Sequence, residues 1–175
     1  MKPRILFISK NYPPKLGGLE TYSYNLIKEF EKDYTVFKVV LRSSKLNLLW
    51  FLPYSFLRTL LLDRKYSFSN IHLCDGLLAL PGILLKQYPK ASVSVSIHGL
   101  DITYKNPLYQ WLIPRCVNRL DKIICVSQSS RDECVRRGIP KQKCKVIPNG
   151  IRPDELYLHQ SLTKLRIDLE KLLNI

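Results

Sequence analysis

The sequence predicts an α/β fold: a parallel β-sheet with helices on both faces. Three features of the chain predict it. Short runs rich in β-branched and aromatic residues alternate with longer segments of helical period. The first run, RILFIS at 4–9, is apolar almost throughout, as a strand covered on both sides must be. Gly, His, Asp and Ser gather just after the runs, where a parallel sheet places its ligands.

The elements follow in order. After the strand at 4–9, residues 19–32 read as a helix, with Leu19, Tyr22, Leu26, Ile27 and Phe30 on one face. Residues 34–41, YTVFKVVL, read as a second strand. Residues 46–62 are strongly apolar, and Pro53 is expected to open a helix that continues to about Arg64. A strand at 68–75 runs into a loop. Residues 76–88 read as a helix that Pro81 bends or carries in its first turn. Residues 91–99 are a strand, 107–120 a helix and 121–127 a strand. A helix at 129–138 takes Ser129 or Ser130 as its N-cap and Gly138 as its stop. The last strand, 144–151, ends in a turn. Beyond Ile151 the chain is polar and turn-like, and 162–175 is one amphipathic helix.

A chain of 175 residues suffices for one well-packed domain and is too short for two full ones. Its hydrophobic content of 46% excludes a disordered polymer. The formal charge of +14 favours an anionic partner: nucleic acid, a membrane surface or a phosphorylated small molecule. The alternative is a soluble domain that is merely basic. The five cysteines are odd in number and lack C-x-x-C spacing, so zinc and disulfide frameworks both fit poorly and reduced, buried thiols are expected. The first residues read as a strand, without the longer apolar core and small-residue cleavage site expected of a secretory signal, and 46–62 is too short and interrupted to span a bilayer.

The residues after the strands carry the chemistry. Gly17 and Gly18 lack a Cβ, and the helix that follows aims free N–H groups and a positive dipole end at their surroundings. The spacing matches neither G-x-G-x-x-G nor a Walker loop, which disfavours a dinucleotide dehydrogenase and a P-loop NTPase. The two glycines can also be a simple tight turn. His98 ends the strand at 91–97 with Asp101 three residues on, either as a hydrogen-bonding group near neutral pH or as a structural histidine. Asp75, Ser127, Asn149 and Gly150 also follow strands, the last three doubling as cap or turn residues. There is no Asp-x-Asp or His-rich metal signature.

Taken in order, PPKLGGLE, HGLD, ICVSQSSRD and VIPNGI resemble the N-terminal domain of retaining glycosyltransferases with the GT-B fold, a large bacterial and archaeal family with many mannosyl- and glucosyltransferases. The resemblance covers about residues 4–152. It implies a Rossmann-like, acceptor-side domain at 1–152, then a linker and helix at 153–175 that open a C-terminal donor-binding domain. It implies that Gly17 and Gly18 approach the donor's diphosphate or sugar, and that His98 faces the transferred sugar as the catalytic residue. Glu20 would shape the glycine loop or meet the acceptor. Asp75, Asp101 and Ser127 would line or support the acceptor side, and Asn149 and Gly150 would mark the approach to the hinge. The family's basic residue and paired glutamates have no counterpart: Asp154, Glu155, Asp168 and Glu170 lack the spacing.

The expected activity is therefore transfer of a sugar from a nucleotide-sugar donor to a glycan or lipid-linked acceptor, with retention, in polysaccharide biosynthesis. The donor would come through a second domain or a partner chain, no cofactor or metal would be needed, and the isolated chain would be inactive. One alternative is a non-catalytic acceptor-binding or membrane-docking subunit of a split enzyme. A nucleic-acid-binding domain is the weaker alternative, because no recognition helix or stacking motif is present. The expected location is cytoplasmic and peripheral at the inner face of the membrane. Lys45, Arg58, Arg64 and Lys65 flank or interrupt the apolar segment, and residues 102–149 carry ten Lys/Arg against three Asp/Glu, which suits an anionic surface.

Overall fold

Strands β1 (Arg4–Ser9), β2 (Thr35–Val40), β3 (Asn70–Leu73), β4 (Ser92–Ile97), β5 (Lys122–Cys125) and β6 (Cys144–Val146) form one parallel sheet in the order β2-β1-β3-β4-β5-β6. The computed structural model describes residues 2–14, 16–42, 47–88 and 90–150. The chain leaves β1 for β2 on one side, then returns past β1 to place β3 on the other. The carboxyl ends of β1 and β3 therefore diverge into a crevice, the switch point where open parallel sheets bind ligands.

The two faces are covered differently. Leu6, Ile8, Ile71, Leu73, Val93, Val95 and Ile97 point into the larger core. This face carries α2 (Leu48–Tyr66), α3 (Ala79–Leu85), α5 (Pro107–Asn118) and α6 (Gln128–Arg136). On the opposite face Ile5, Phe7 and Cys74 pack against Ile27 of α1 (Gly18–Asp33). The fully buried Phe7 ring meets Phe30 and His72 edge-on, at centroid distances of 5.3 and 5.4 Å.

Several boundaries depart from expectation. Helix α2 starts at Leu48, so Pro53 lies inside it rather than opening it. Phe51 is buried and Leu48 and Leu52 pack against the core, and that burial outweighs one lost N–H. The segment expected as one helix from 76 is a 3-10 turn at Gly76–Leu78 followed by α3, with Pro81 in the first turn, where an N–H is not needed. The N-cap of α6 is Ser127, not Ser129 or Ser130, because Ser127 is the last extended residue and its Oγ accepts the Ser130 N–H at 3.1 Å. A short helix α4 (Leu100–Thr103) was not expected. The amphipathic segment 162–175 and the linker before it lie outside the described residues.

Candidate active site

The crevice brings together three strand ends. Lys10 directly follows β1, Asp75 follows β3 and His98 follows β4. Asp75 is 1% exposed. Its Oδ1 accepts the Leu77 N–H at 2.9 Å, which caps the 3-10 turn. Its Oδ2 lies 3.1 Å from the Lys10 ammonium but outside hydrogen-bond geometry, so that contact is ionic.

Gly99 lets the chain turn sharply after His98. Its φ of +90° lies in the region open to glycine and strained for other residues. The turn brings the Asp101 carboxylate back over two loops. Oδ1 accepts the His98 N–H at 2.9 Å and Oδ2 the Gly76 N–H at 3.0 Å, so Asp101 ties the β4 end to the β3 end. Tyr109 of α5 donates to the Asp101 carbonyl. Burial, helped by the Asp75 charge, pushes the Asp101 carboxyl up to about 6, against the pull of the two N–H donors and Lys10.

His98 Nε2 lies 3.2 Å from the Cys74 carbonyl oxygen. A carbonyl only accepts, so Nε2 carries the proton and Nδ1 holds the lone pair. Burial lowers the His98 pKa, while Asp75 and the Cys74 carbonyl pull it back up and Lys10 pushes it down. The Tyr22 ring stands edge-on to the imidazole at 4.5 Å. His98 is thus a fixed, neutral imidazole with an acceptor nitrogen.

Behind it runs a polar string inside the sheet. Tyr22 Oη is 2.8 Å from Ser96 Oγ, Ser96 Oγ is 3.0 Å from His72 Nε2, and His72 Nδ1 is 2.9 Å from Ser94 Oγ. Burial depresses His72 to about 4, with the neighbouring His98 adding to it. Burial also raises Tyr22 to about 12. Both groups are neutral at physiological pH.

The N-terminus of α1 opens toward solvent at the glycine pair. Gly17 is the N-cap, without a side-chain hydrogen bond, and its φ of 166° is ordinary extended backbone. A Cβ there would collide with the Glu20 carboxylate, which folds back over it. A Cβ on Gly18 would meet open space. The fold alone therefore explains neither glycine through its backbone angles. Ser127 caps α6 at the end of β5, with its Oγ 2.9 Å from Ser130 Oγ. Asn149 and Gly150 are exposed beyond edge strand β6, two strands from β4.

The structure thus gathers His98, Asp75 and Asp101 at one crevice, with the Gly17–Glu20 turn linked to it through Tyr22 of the same helix. It leaves Asn149 and Gly150 apart. Lys10 and Gly99 are not singled out as site residues by the sequence, and Tyr22 is read from it only as a residue of the helix's apolar face. Gly99 alone had a local signal, the glycine after a strand-end histidine. Among the described residues, one group of potential metal ligands converges, Cys125, Cys134 and Cys144. All five cysteines are free thiols and buried, as their odd, unpatterned count had suggested.

Residues 29–155 match the family described as Glycosyltransferase Family 4. No curated protein matches the chain. Among solved structures, sucrose-phosphate synthase from Thermosynechococcus elongatus aligns with a TM-score of 0.68 at 17% identity, over 86% of this chain and 49% of its own. HepE from Anabaena, in complex with UDP and glucose, aligns at 0.62 with 16% identity, over 90% and 50%. The apo lipopolysaccharide outer core galactosyltransferase WaaB aligns at 0.59 with 16% identity, over 85% and 46%. The chain spans about half the length of each. A family match across most of the residues, on a fold shared with these solved structures, settles the assignment: the chain belongs to Glycosyltransferase Family 4, as the N-terminal Rossmann-like half of a GT-B fold.

Proposed function

We propose that the chain is the acceptor-side half of a glycosyltransferase, moving a sugar from a nucleotide-sugar donor to a glycan or lipid-linked acceptor with retention of anomeric configuration. The observation that carries this is His98, held neutral at the switch point with Nδ1 as an acceptor. Such a nitrogen suits a hydroxyl of the transferred sugar better than an anion. The open N-terminus of α1 at Gly18 offers N–H groups and a dipole end to the leaving diphosphate. Charge on that leaving group is met by N–H groups and cations, so the reaction needs no metal. Asp75 and Asp101 act by holding the loops, and Glu20 by shaping the glycine turn. Ser127, Asn149 and Gly150 line the acceptor side and the hinge approach. HepE, whose structures hold UDP or UDP-glucose, supports a donor of that class.

The donor's main binding surface belongs to a second half, in the same protein or a partner. The chain alone should therefore release no nucleoside diphosphate from UDP-hexoses in the presence of glycan or lipid acceptors. Turnover by the 175 residues alone would refute the half-site assignment. Joined to a donor-binding half, the protein should turn over, and His98→Ala should lower kcat by on the order of tenfold to a hundredfold, the value of one hydrogen bond in a preorganised site. An unchanged kcat would remove His98 from the reaction.

The acceptor side also suits a membrane surface. No helix among the described residues is long and apolar enough to cross a bilayer. Helix α2 nevertheless turns Leu49, Trp50, Tyr54, Leu57 and Leu61 outward, with Trp50 78% exposed. Arg58, Arg64 and Lys65 stand exposed along the same helix. Next to its start lies an open recess of about 350 Å³ lined by Val40, Leu41, Arg42, Trp50, Phe51 and Tyr54. An apolar stripe beside cations fits the interface of an anionic bilayer at the cytoplasmic face. The chain should co-sediment with anionic vesicles at low salt and more weakly at physiological salt, and Trp50→Ala with Leu57→Ala should weaken both. Absence of binding at either salt would dismiss the membrane.

A further inference from the structure

Cys125 closes β5, Cys134 lies in the last turns of α6 and Cys144 opens β6. These elements meet only in the folded chain. Their three Sγ atoms all lie within 4.8 Å of one another. Cys125 and Cys134 are 0% exposed and Cys144 8%. Thiolates bound to one ion at about 2.3 Å in a plane would stand about 4 Å apart, so small torsions would close the triangle.

The surroundings decide which ion fits. Among the described residues no fourth His, Cys, Asp or Glu joins the group. Burial leaves little room for a water as fourth ligand. Zinc in structural sites is almost always four-coordinate, so this set suits it poorly. Soft thiolates favour Cu(I), whose filled d shell imposes no geometry. Arg131, near the start of α6, acts electrostatically on Cys125 and Cys144 and would offset part of the negative charge that binding leaves, against the Asp101 charge that acts on Cys125 and Cys134.

We propose that Cys125, Cys134 and Cys144 form a three-coordinate thiolate site for a soft monovalent cation of the Cu(I) class. On binding, each ligating thiol gives its proton to solvent and its sulfur lone pair to the ion. No electron moves, so no oxidant is required. The bound ion pins α6 to both strands at the edge of the sheet. It lies in the core of the large face, beside the crevice, whose Asp101 charge acts on Cys125 and Cys134. The alternative is three small side chains packed as apolar filler.

The test is anaerobic titration of the reduced chain with Cu(I) in competition with a bicinchoninate chelator, with Zn(II) in parallel. The expected result is one equivalent of Cu(I), a thiolate-to-metal absorption band and a raised Tm, because an ion that binds only the folded state stabilises it. Cys134→Ala and Cys144→Ala should abolish the band, and Cys74→Ala and Cys116→Ala should keep it, each checked for native circular dichroism. Copper K-edge absorption on the wild-type complex does not depend on any variant folding, and should show three sulfur neighbours and no nitrogen or oxygen. Absence of stoichiometric Cu(I) binding, preference for Zn(II), survival of the band in folded Cys134→Ala, or a shell with fewer than three sulfurs would each overturn the proposal.

Discussion

Lys10→Ala is expected to lower folding stability by about 3–5 kcal/mol at neutral pH, and Asp75→Asn by distinctly less. The two halves of the pair are not equally buried. The Asp75 side chain is 1% exposed and the Lys10 side chain 22%. Removing Lys10 strands a carboxylate whose Oδ2 has no other partner among the described residues. Removing the charge of Asp75 leaves a lysine that can turn to water, and asparagine still accepts the Leu77 N–H. Urea unfolding of both variants at neutral pH measures this. Equal losses would contradict the asymmetric burial.

The second large effect is a pair of opposed pH dependences. His72 has a folded pKa of about 4, below its ordinary 6.5. Between those values the unfolded chain takes up a proton that the folded chain refuses. The stability from His72 is therefore full above pH 6.5 and lost as pH falls toward 4, by about 3 kcal/mol. Asp101 runs the other way. Its folded pKa of about 6 lies above the ordinary 3.8, so the folded chain takes the proton first. Its contribution is full below about pH 4 and lost as pH rises through 6, by about 3 kcal/mol. In the wild type the two slopes largely cancel. Relative to wild type, His72→Gln should gain stability on going from pH 6.5 to 4, and Asp101→Asn should lose it. Difference curves of the same sign in both variants would refute the assignment.

Much of this was legible in the chain. Six strand segments, their alternation with helices and the parallel sheet follow from periodicity, because the strands are short and the central ones are apolar or branched and covered. His98 and Asp101 were readable as a pair because they lie in one turn. Lys10 and Asp75 were not, since only the return of β3 to the side of β1 brings them together, and nothing local in either segment encodes that neighbour. The three-thiol cluster is hidden for the same reason: its members come from separate elements, so no C-x-x-C spacing announces them. Pro53 misled because a proline is read as a helix start, whereas burial of Phe51 and its neighbours draws the helix upstream. Ser127 reads as both cap and site residue; the capping geometry shows the cap, and the acceptor-side role belongs to the proposed function.

The strand order also governs how the chain acquires its shape. No two adjacent strands are joined by a hairpin: Arg4 pairs with Thr35, and Ile5 with Asn70. Every rung of the ladder closes a long loop, so local contacts cannot nucleate the sheet and its assembly belongs to the slower, non-local class. During synthesis β1 emerges first and must wait for β3, with its apolar face guarded only by α1 and β2. The crevice between β1 and β3 is thus a late product of folding, and the charges that face each other across it meet only after Asp75 has left the ribosome.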